Sequence, residues 1–168
     1  MQRLALKGGS FSAALTPQES AATGLESVEF LVAGHAGVEL RPLAKVASGG
    51  ELSRISLAIR VVTAQQGDIP TMIFDEVDVG IGGGVAEIVG QLLKQLGLKR
   101  QVLVITHLPQ VAAQGTQHLR VSKVAVNGST LSQIESLDSA ARIEEVARML
   151  GGVEITETTR KHAAEMLE

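Results

Sequence analysis

The sequence predicts an α/β fold with mostly parallel core strands, flanking helices and a β-hairpin. Two short apolar runs, at residues 70–75 and 101–107, lack polar alternation, as strands buried on both faces do. Between these runs, apolar residues recur at helical spacing from Val85 to Leu96, and Gly97 provides a stop. A strand, a helix and a second strand form a βαβ unit, in which the strands are parallel and the crossover is right-handed.

The segment before this unit is predicted to contain short strands and then a helix. Residues 11–15 and 27–32 have an extended pattern that glycine and proline punctuate. Leucine, isoleucine and valine then recur at helical spacing. Ser48 followed by Glu51 is a capping box, so this helix is expected to begin there and to end near Gly67.

The segment after the unit is predicted to form a hairpin and two closing helices. Asn127-Gly128 favours a type I′ turn between two extended runs. Helical patterns follow from Asp138 and from Thr156. We interpret the chain as one domain with five parts in order: a strand-rich lead-in at 1–47, a helix at 48–67, the βαβ unit at 70–107, the hairpin at 118–135 and the helices at 138–168.

The composition excludes several classes of function. The 168 residues include no cysteine, which rules out a disulfide framework, a thiolate nucleophile and cysteine-bound zinc. Three Phe without Tyr or Trp leave few rings for base stacking, and a net charge of -3 argues against a basic nucleic-acid surface over the whole domain. No apolar run approaches the ~20 residues of a membrane helix, so no membrane partner is expected.

Acidic residues and a histidine follow the two strands of the βαβ unit. Asp75 and Glu76 end the first strand, and His107 ends the second. Parallel strands place their carboxyl ends at one edge of a sheet, where α/β proteins bind ligands, so these groups are expected to converge. One carboxylate could hold Mg²⁺, the next could orient or deprotonate a water, and the imidazole could hydrogen-bond a phosphate oxygen. An acid or a histidine at the end of a single strand is usually just part of a polar loop. The occurrence of both at the ends of two neighbouring strands favours a ligand-binding site.

A second candidate site is the glycine-containing start of the helix at Ser48, Gly49, Gly50 and Glu51. The first N–H groups of a helix bind anions, and two glycines let a phosphate approach the backbone closely. An isolated S-G-G-E is usually an ordinary helix cap. Here it lies within the longer string ASGGELSR at 47–54, which favours contact with a phosphate.

The chain lacks the loop that usually cradles the phosphates of a nucleotide. None of its six lysines is followed by Ser or Thr, so the pattern G-x-x-x-x-G-K-[ST] is absent. The glycines at 80–84 suggest a dinucleotide-binding G-x-G-x-x-G, but Val85 occupies the third glycine position and the nearby carboxylates would repel a pyrophosphate. Groups suited to activating water and binding anions are therefore present without a P-loop.

In this order, these motifs resemble the C-terminal half of an ABC-type ATPase head of the SMC-like class. The resemblance is carried by RPLAKVASGGELSR at 41–54, IFDEVDVGIGG at 73–83 and ITHLPQVA at 105–112, and it continues through ARMLGG at 147–152. It implies the C-terminal lobe of a P-loop NTPase head, with ATP and Mg²⁺ as ligands and ATP hydrolysis as the activity.

The resemblance implies a role for each matched residue. Asp75 matches the Walker B aspartate that supports Mg²⁺, Glu76 the catalytic glutamate that activates water, and His107 the switch histidine that senses the γ-phosphate. The signature motif, which in the family contacts the γ-phosphate of ATP held by the opposite head, is matched at Ser48, Gly49, Gly50 and Glu51. Residues 77–83 match the D-loop, and Gly82 stands where an aspartate usually closes it.

The resemblance also implies partners. SMC-like proteins carry Walker A in an N-terminal half beyond a long coiled coil, so this chain alone is predicted neither to bind ATP tightly nor to hydrolyse it. The other implied partners are a second head in a homodimer, DNA through the full-length assembly, and the recombinase RecA. The implied setting is DNA double-strand break repair and recombination at the nucleoid in the cytoplasm. Without the N-terminal half, an unpaired sheet edge and an exposed apolar patch are expected.

Two other interpretations remain open. The first is a related ABC ATPase, such as a transporter motor or another SMC-like head. A transporter motor normally carries Walker A on the same chain and a helical subdomain before the signature, whereas the first 47 residues here have a strand-rich pattern. The second is a non-enzymatic module that docks onto an ATPase. The presence of Asp75, Glu76 and His107 argues against that module, since a scaffold has no need of them.

Overall fold

The computed structural model describes residues 8–45, 52, 55–59, 63, 69–75, 78, 80–126, 129–151 and 154–168. Within these ranges the chain forms three small sheets and four α-helices with described bounds, and residues 55–59 are helical as well. It is an α/β protein, as the sequence predicts. None of the described helices is both long enough and apolar enough to cross a lipid bilayer.

The first sheet is an antiparallel meander of three strands. Its strands are β1 (Ser10–Ala21), β2 (Gly24–Ala33) and β3 (Arg41–Pro42), in that order across the sheet. The ladder between β1 and β2 is regular from Ser10 opposite Ala33 to Pro17 opposite Glu26. It then becomes irregular, at the position where proline has no N–H to donate.

One face of this sheet is apolar and largely exposed. Phe11 and Leu15 lie on one face of β1, because they are separated by an even number of positions. Val28 and Phe30 lie on the same face of the sheet, since they pair with Leu15 and Ala13 of β1. The rings of Phe11 and Phe30 are 5.5 Å apart between centroids. All four side chains are exposed, and only the end of the face, at Val32, is buried.

The βαβ unit predicted from the sequence is present at the centre of the fold. It consists of β4 (Thr71–Phe74), α1 (Gly83–Gly97) and β5 (Gln101–Val104), and the two strands are parallel. Backbone bonds extend the pairing at both ends: Gln101 N donates to Pro70 O and Ile105 N donates to Phe74 O, each at 2.9 Å. The strands are therefore locked in one register along their whole length.

The main core forms between this sheet and α1. Its fully buried members include Phe74 on β4 and Ala86 and Val89 on α1, and Val104 packs against them from β5. The apolar side chains on α1 recur at helical spacing, which turns one stripe of the helix onto the sheet.

The other face of the β4–β5 sheet is bare among the described residues. Ile73, Leu103 and Ile105 are exposed, with Ile73 at 64% of its full accessibility. The prediction that both strands are buried on both faces is therefore wrong for this part of the chain. A run of apolar residues indicates two apolar faces, but each face needs a layer to cover it, and among the described elements only the face toward α1 has one.

A short helix, α2 (Pro109–Ala112), follows β5 and was not predicted from the sequence. It packs against α1 at Gly90, where the two backbones come close. A Cβ atom at Gly90 would lie 3.0 Å from the backbone oxygen of Gln110 and 2.8 Å from Cγ of Gln114. The glycine is therefore explained by helix packing, since a side chain at this position would have to displace Gln114 and press against the backbone of Gln110.

The hairpin and the two closing helices are present as predicted. Strands β6 (Leu119–Val126) and β7 (Ser129–Ser136) are antiparallel, while Asn127 and Gly128 lie outside the described residues. Helix α3 (Ser139–Gly151) follows. Helix α4 (Glu157–Leu167) begins after Thr156, whose Oγ1 accepts a hydrogen bond from the Thr159 N–H at 3.2 Å. The two helices bury a small cluster of Val146, Ala147 and Ala163.

A buried carboxylate connects α3 to the hairpin. Glu145 is only 5% exposed, and its two oxygens accept hydrogen bonds from Arg148 at 2.6 and 3.0 Å. Arg120 on β6 reaches the same carboxylate at 3.8 Å. The hydrogen bonds from Arg148 hold the pKa of Glu145 below its usual value, although burial opposes that shift. Glu145 is therefore an ionised anchor near neutral pH.

We expect Arg148→Ala to lower the free energy of unfolding by about 1–3 kcal/mol, because it leaves the buried Glu145 carboxylate without its main donor. The matched control is Arg160→Ala, whose partner Glu144 is exposed, and its effect should be much smaller. Since the folded-state pKa of Glu145 is lowered, the contribution of the pair is present above pH 4.5 and is lost as pH falls below it. Urea unfolding at pH 7 and pH 3.5 measures both effects, and equal losses for the two variants at pH 7 would contradict the anchor role.

We also expect Gly90→Ala to destabilise the chain by about 1–3 kcal/mol, because the added methyl group overpacks the contact with α2. Intrinsic helix propensity alone would give the opposite sign, by up to ~1 kcal/mol. Gly97→Ala is the control, since a Cβ at that position meets nothing within 4 Å. Thermal unfolding of the two variants distinguishes packing from propensity, and a stabilised Gly90→Ala variant would show that the close approach is unimportant.

Candidate functional site

The candidate site lies at the edge of the sheet where β4 and β5 both end. Asp75 directly follows β4, and Thr106 and His107 follow β5 by two and three residues. Because Phe74 pairs with Val104 in a parallel ladder, these residues leave the sheet on the same side. The side chain of His107 is 72% exposed, and Asp75 is exposed as well.

The best-defined feature of this edge is a buried carboxylate that the sequence did not single out. Asp78 lies in the loop between β4 and α1 and is only 2% exposed. Its Oδ2 atom accepts a hydrogen bond from Thr106 Oγ1 and from the backbone N–H groups of His107 and Leu108, at 2.9 and 3.3 Å for the two backbone donors. One oxygen of the loop after β4 thus fixes three consecutive residues, 106–108, of the loop after β5.

The same oxygen also lies beside the imidazole of His107. The distance from Asp78 Oδ2 to His107 Nδ1 is 3.2 Å. Asp78 is buried while the imidazole is mostly exposed, so the ring is held from one side and is open to solvent on the other.

The charge of Asp78 follows from its surroundings. Burial alone would raise the pKa of this carboxyl, but the hydrogen bonds from the Thr106 hydroxyl and the His107 backbone outweigh burial and hold the pKa below its usual value. Nearby His107 adds to the lowering. Asp78 is therefore an ionised carboxylate near neutral pH, and its charge is satisfied by the donors of the β5–α2 loop.

The loop that carries Asp78 turns sharply to begin α1. Ile81 N donates to the backbone oxygen of Asp78 at 3.2 Å, which closes a turn. Gly80 has a φ of 71° and Gly83 a φ of 52°, a region that side chains other than glycine rarely adopt. Gly82, where the family resemblance implies an aspartate, is extended, and a Cβ there would meet nothing within 4 Å.

Asp75 has the chemistry of a magnesium ligand. Its carboxylate is exposed at the strand end and makes no hydrogen bond or ion pair with any other described residue. Hard divalent cations prefer such free carboxylate oxygens together with water, so Asp75 fits the ion that the family resemblance implies. Within the described ranges no cluster of three or more potential metal ligands is present.

The other residues proposed from the sequence lie outside the described residues, namely Ser48, Gly49, Gly50, Glu51 and Glu76. The helix that follows the signature string is described at residues 55–59. There Ile55 is buried against Val32 of the first sheet, and Leu57 is buried in the core of the βαβ unit. This helix therefore packs against the first sheet and against the core of the βαβ unit.

Asp78 could have been found in the sequence from one signal. It lies between two valines and is followed by a run of apolar residues and glycines in the string VDVGIGGG. An acid in such surroundings is usually paired or functional when it is buried. Its partners could not be identified in this way, because they lie 28 to 30 residues further along the chain.

The fold of this chain is that of SMC ATPase head domains. A structure described as "Structural biochemistry of ATP-driven dimerization and DNA stimulated activation of SMC ATPases" matches with a TM-score of 0.65 at 22% identity, over 89% of this chain and 87% of that chain. The Smc head domain with coiled coil and joint from Pyrococcus yayanosii matches with a TM-score of 0.69 at 23% identity, over 86% of this chain and 26% of that one. At such identities the likeness shows the fold alone.

Sequence similarity is more specific, and the chain is homologous to a C-terminal portion of the DNA repair protein RecN. It is 52% identical to RecN of Xylella fastidiosa over 100% of this chain and 31% of that protein. It is 55% identical to RecN of Vibrio cholerae over 88% of this chain and 27% of that protein, and 41% identical to that of Bacillus subtilis over 90% and 26%. The chain thus spans less than a third of the length of these relatives. No family model matches it.

Proposed function

We propose that the chain is the C-terminal part of an ATP-hydrolysing head in a RecN-type protein that acts in DNA double-strand break repair and recombination. One observation supports this most directly. The sheet edge with Asp75 and His107 occurs in a chain that combines an SMC head fold with similarity to RecN at 41–55% identity. The division of the chain into lead-in, signature helix, βαβ unit, hairpin and closing helices belongs to the same proposal.

Each site residue has a proposed task in the hydrolysis of ATP. Asp75 would hold Mg²⁺, directly or through water, and the ion would neutralise charge on the phosphates. Glu76 would orient and deprotonate the attacking water. His107 would contact the γ-phosphate. The signature residues Ser48, Gly49, Gly50 and Glu51 would contact the γ-phosphate of ATP on the opposite head, with a helix N-terminus as the anion site.

The chain is proposed to need an N-terminal half that carries Walker A. The sequence contains no P-loop pattern to cradle the phosphates. The β4–β5 pair is a parallel sheet with an exposed apolar face at Ile73, Leu103 and Ile105, and parallel sheets are normally covered on both faces. Further strands and a covering layer from the N-terminal half would resolve both features. The lone chain is accordingly proposed to be inactive.

The assembly is proposed to be a head-to-head homodimer that ATP closes and hydrolysis opens. A net charge of -3 gives this lobe little attraction for a phosphate backbone, so DNA would be held by the full-length dimer and its coiled coil. A recombinase such as RecA is a further candidate partner. The proposed location is the cytoplasm, at the nucleoid.

The central test compares Mg-ATP hydrolysis by this chain alone, by the N-terminal Walker A half alone, and by the two combined or fused through a short linker. We expect activity only in the combined sample. Glu76→Gln should reduce it by ~10²–10⁴-fold, the usual contribution of a general base. Glu87→Gln, an exposed substitution on α1, is the matched control and should leave the rate unchanged.

Two outcomes would contradict this proposal. Hydrolysis by the lone chain would mean that it contains a phosphate site without a P-loop. No hydrolysis in a combined sample that is folded and associated would favour the non-enzymatic docking module instead.

A second prediction concerns the dimer. In the combined protein with Glu76→Gln, ATP should convert single heads into dimers, and Ser48→Arg should abolish that conversion because the bulky side chain occupies the phosphate contact. Ser132→Arg, at an exposed position in β7, should leave dimer formation intact. Sedimentation velocity with and without Mg-ATP measures the result, and an ATP-driven dimer that survives Ser48→Arg would remove the signature motif from the interface.

A further inference from the structure

We propose that Asp78 is a positioning residue for His107: it fixes the backbone and imidazole of His107 so that the ring's free side meets the γ-phosphate. The inference rests on the proposed function, because only there does His107 contact phosphate. Asp78 itself would touch neither nucleotide nor metal and would act through His107.

The first support is the number of groups that converge on one oxygen. Oδ2 of Asp78 accepts hydrogen bonds from Thr106 Oγ1 and from the N–H groups of His107 and Leu108, and it lies 3.2 Å from His107 Nδ1. Thr106 Oγ1 in turn accepts from the Leu108 N–H at 3.0 Å, so the hydroxyl is fixed as well. Hydrogen bonds to an ionised acceptor are stronger than neutral ones, which makes this an effective clamp on the loop.

The second support is the geometry of an imidazole. Its two nitrogens face in widely different directions, so a partner on one of them sets the direction of the other. With Nδ1 beside the buried Asp78, Nε2 is the nitrogen that remains for another partner, and the His107 side chain as a whole is 72% accessible. A phosphate oxygen arriving at the sheet edge would therefore meet Nε2 without a rotation of the side chain.

The third support is that Asp78 joins the two loops of the site. It belongs to the loop after β4, which also carries Asp75 and Glu76, while its hydrogen-bond donors belong to the loop after β5. The strands themselves stop pairing at the bond from Ile105 N to Phe74 O. Beyond that point, Asp78 fixes the distance between the loop proposed to hold Mg²⁺ and water and the loop that carries His107.

A purely structural role for Asp78 would have a different signature. In that case the replacement of Asp78 would reduce stability and the amount of active protein. The loss would be the same whether or not position 107 is a histidine. A positioning role predicts that the effect on turnover disappears once His107 is gone, because nothing remains to be positioned. A double-mutant cycle on kcat separates the two.

The experiment uses the combined, active protein described above and measures kcat and KM for ATP. Asp78→Asn keeps the size of the side chain and removes its charge, and we expect kcat to fall about 10- to 100-fold, as when a residue that orients a ligating histidine is replaced. In a His107→Gln background, Asp78→Asn should change kcat less than twofold. Asp138→Asn is the matched control, since Asp138 also accepts a backbone N–H, from Ala141 at 2.8 Å, but lies at the start of α3.

A second pair of variants keeps the test valid if Asp78→Asn does not fold. Thr106→Ala removes the hydroxyl that donates to Asp78, and Thr106→Ser retains it. We expect Thr106→Ala to lower kcat and Thr106→Ser to restore it, again only when His107 is present.

The outcomes distinguish this inference from the proposed function. An equal loss from Asp78→Asn with and without His107, or no loss in either background, would overturn the positioning role while the Glu76→Gln result still supports the ATPase. If the unsubstituted combined protein does not hydrolyse ATP at all, the proposed function fails and the positioning role fails with it.

Discussion

The parallel pairing of β4 with β5 is the constraint on which the rest of the structure depends. It fixes both carboxyl ends at one edge of the sheet, so Asp75 and His107 leave the sheet on the same side although they are 32 positions apart in the sequence. The pairing is held by α1, whose apolar stripe buries Phe74 against Val89. The positions of Asp75 and His107 at the sheet edge therefore depend on the packing of α1 against β4 and β5.

The acidic residues in the described part of the chain differ in how far they are buried and paired. Asp78 and Glu145 are the buried anchors; each accepts several hydrogen bonds, and the pKa of each is lowered. Asp75 and His107 are exposed, and Asp75 makes no bond to another described residue, as a group that receives a ligand requires. In the role that we propose for Asp78, a fixed carboxylate beside an exposed imidazole would orient the ring before a ligand binds, which would lower the entropic cost of binding.

Homology and fold contribute different kinds of information about function. Matches to SMC heads at 22–23% identity show how the chain folds, whereas the similarity to RecN proteins is higher, at 41–55% identity, and covers about a quarter of the length of those proteins. The exposed apolar faces of the first sheet and of the β4–β5 pair fit a lobe that another half completes, as we propose.

Local patterns in the sequence determined the βαβ unit, the hairpin and the closing helices, because periodicity, turn residues and caps act over a few residues. They also determined that Asp75 and His107 share an edge, since parallel strands allow no other arrangement. Only the tertiary structure decided that Asp78 holds the His107 loop, that Gly90 allows α2 to approach α1, and that one face of the β4–β5 sheet is uncovered among the described residues. Those features depend on contacts between residues far apart in the chain and on which layers are available to cover a face, and neither is encoded in a local pattern.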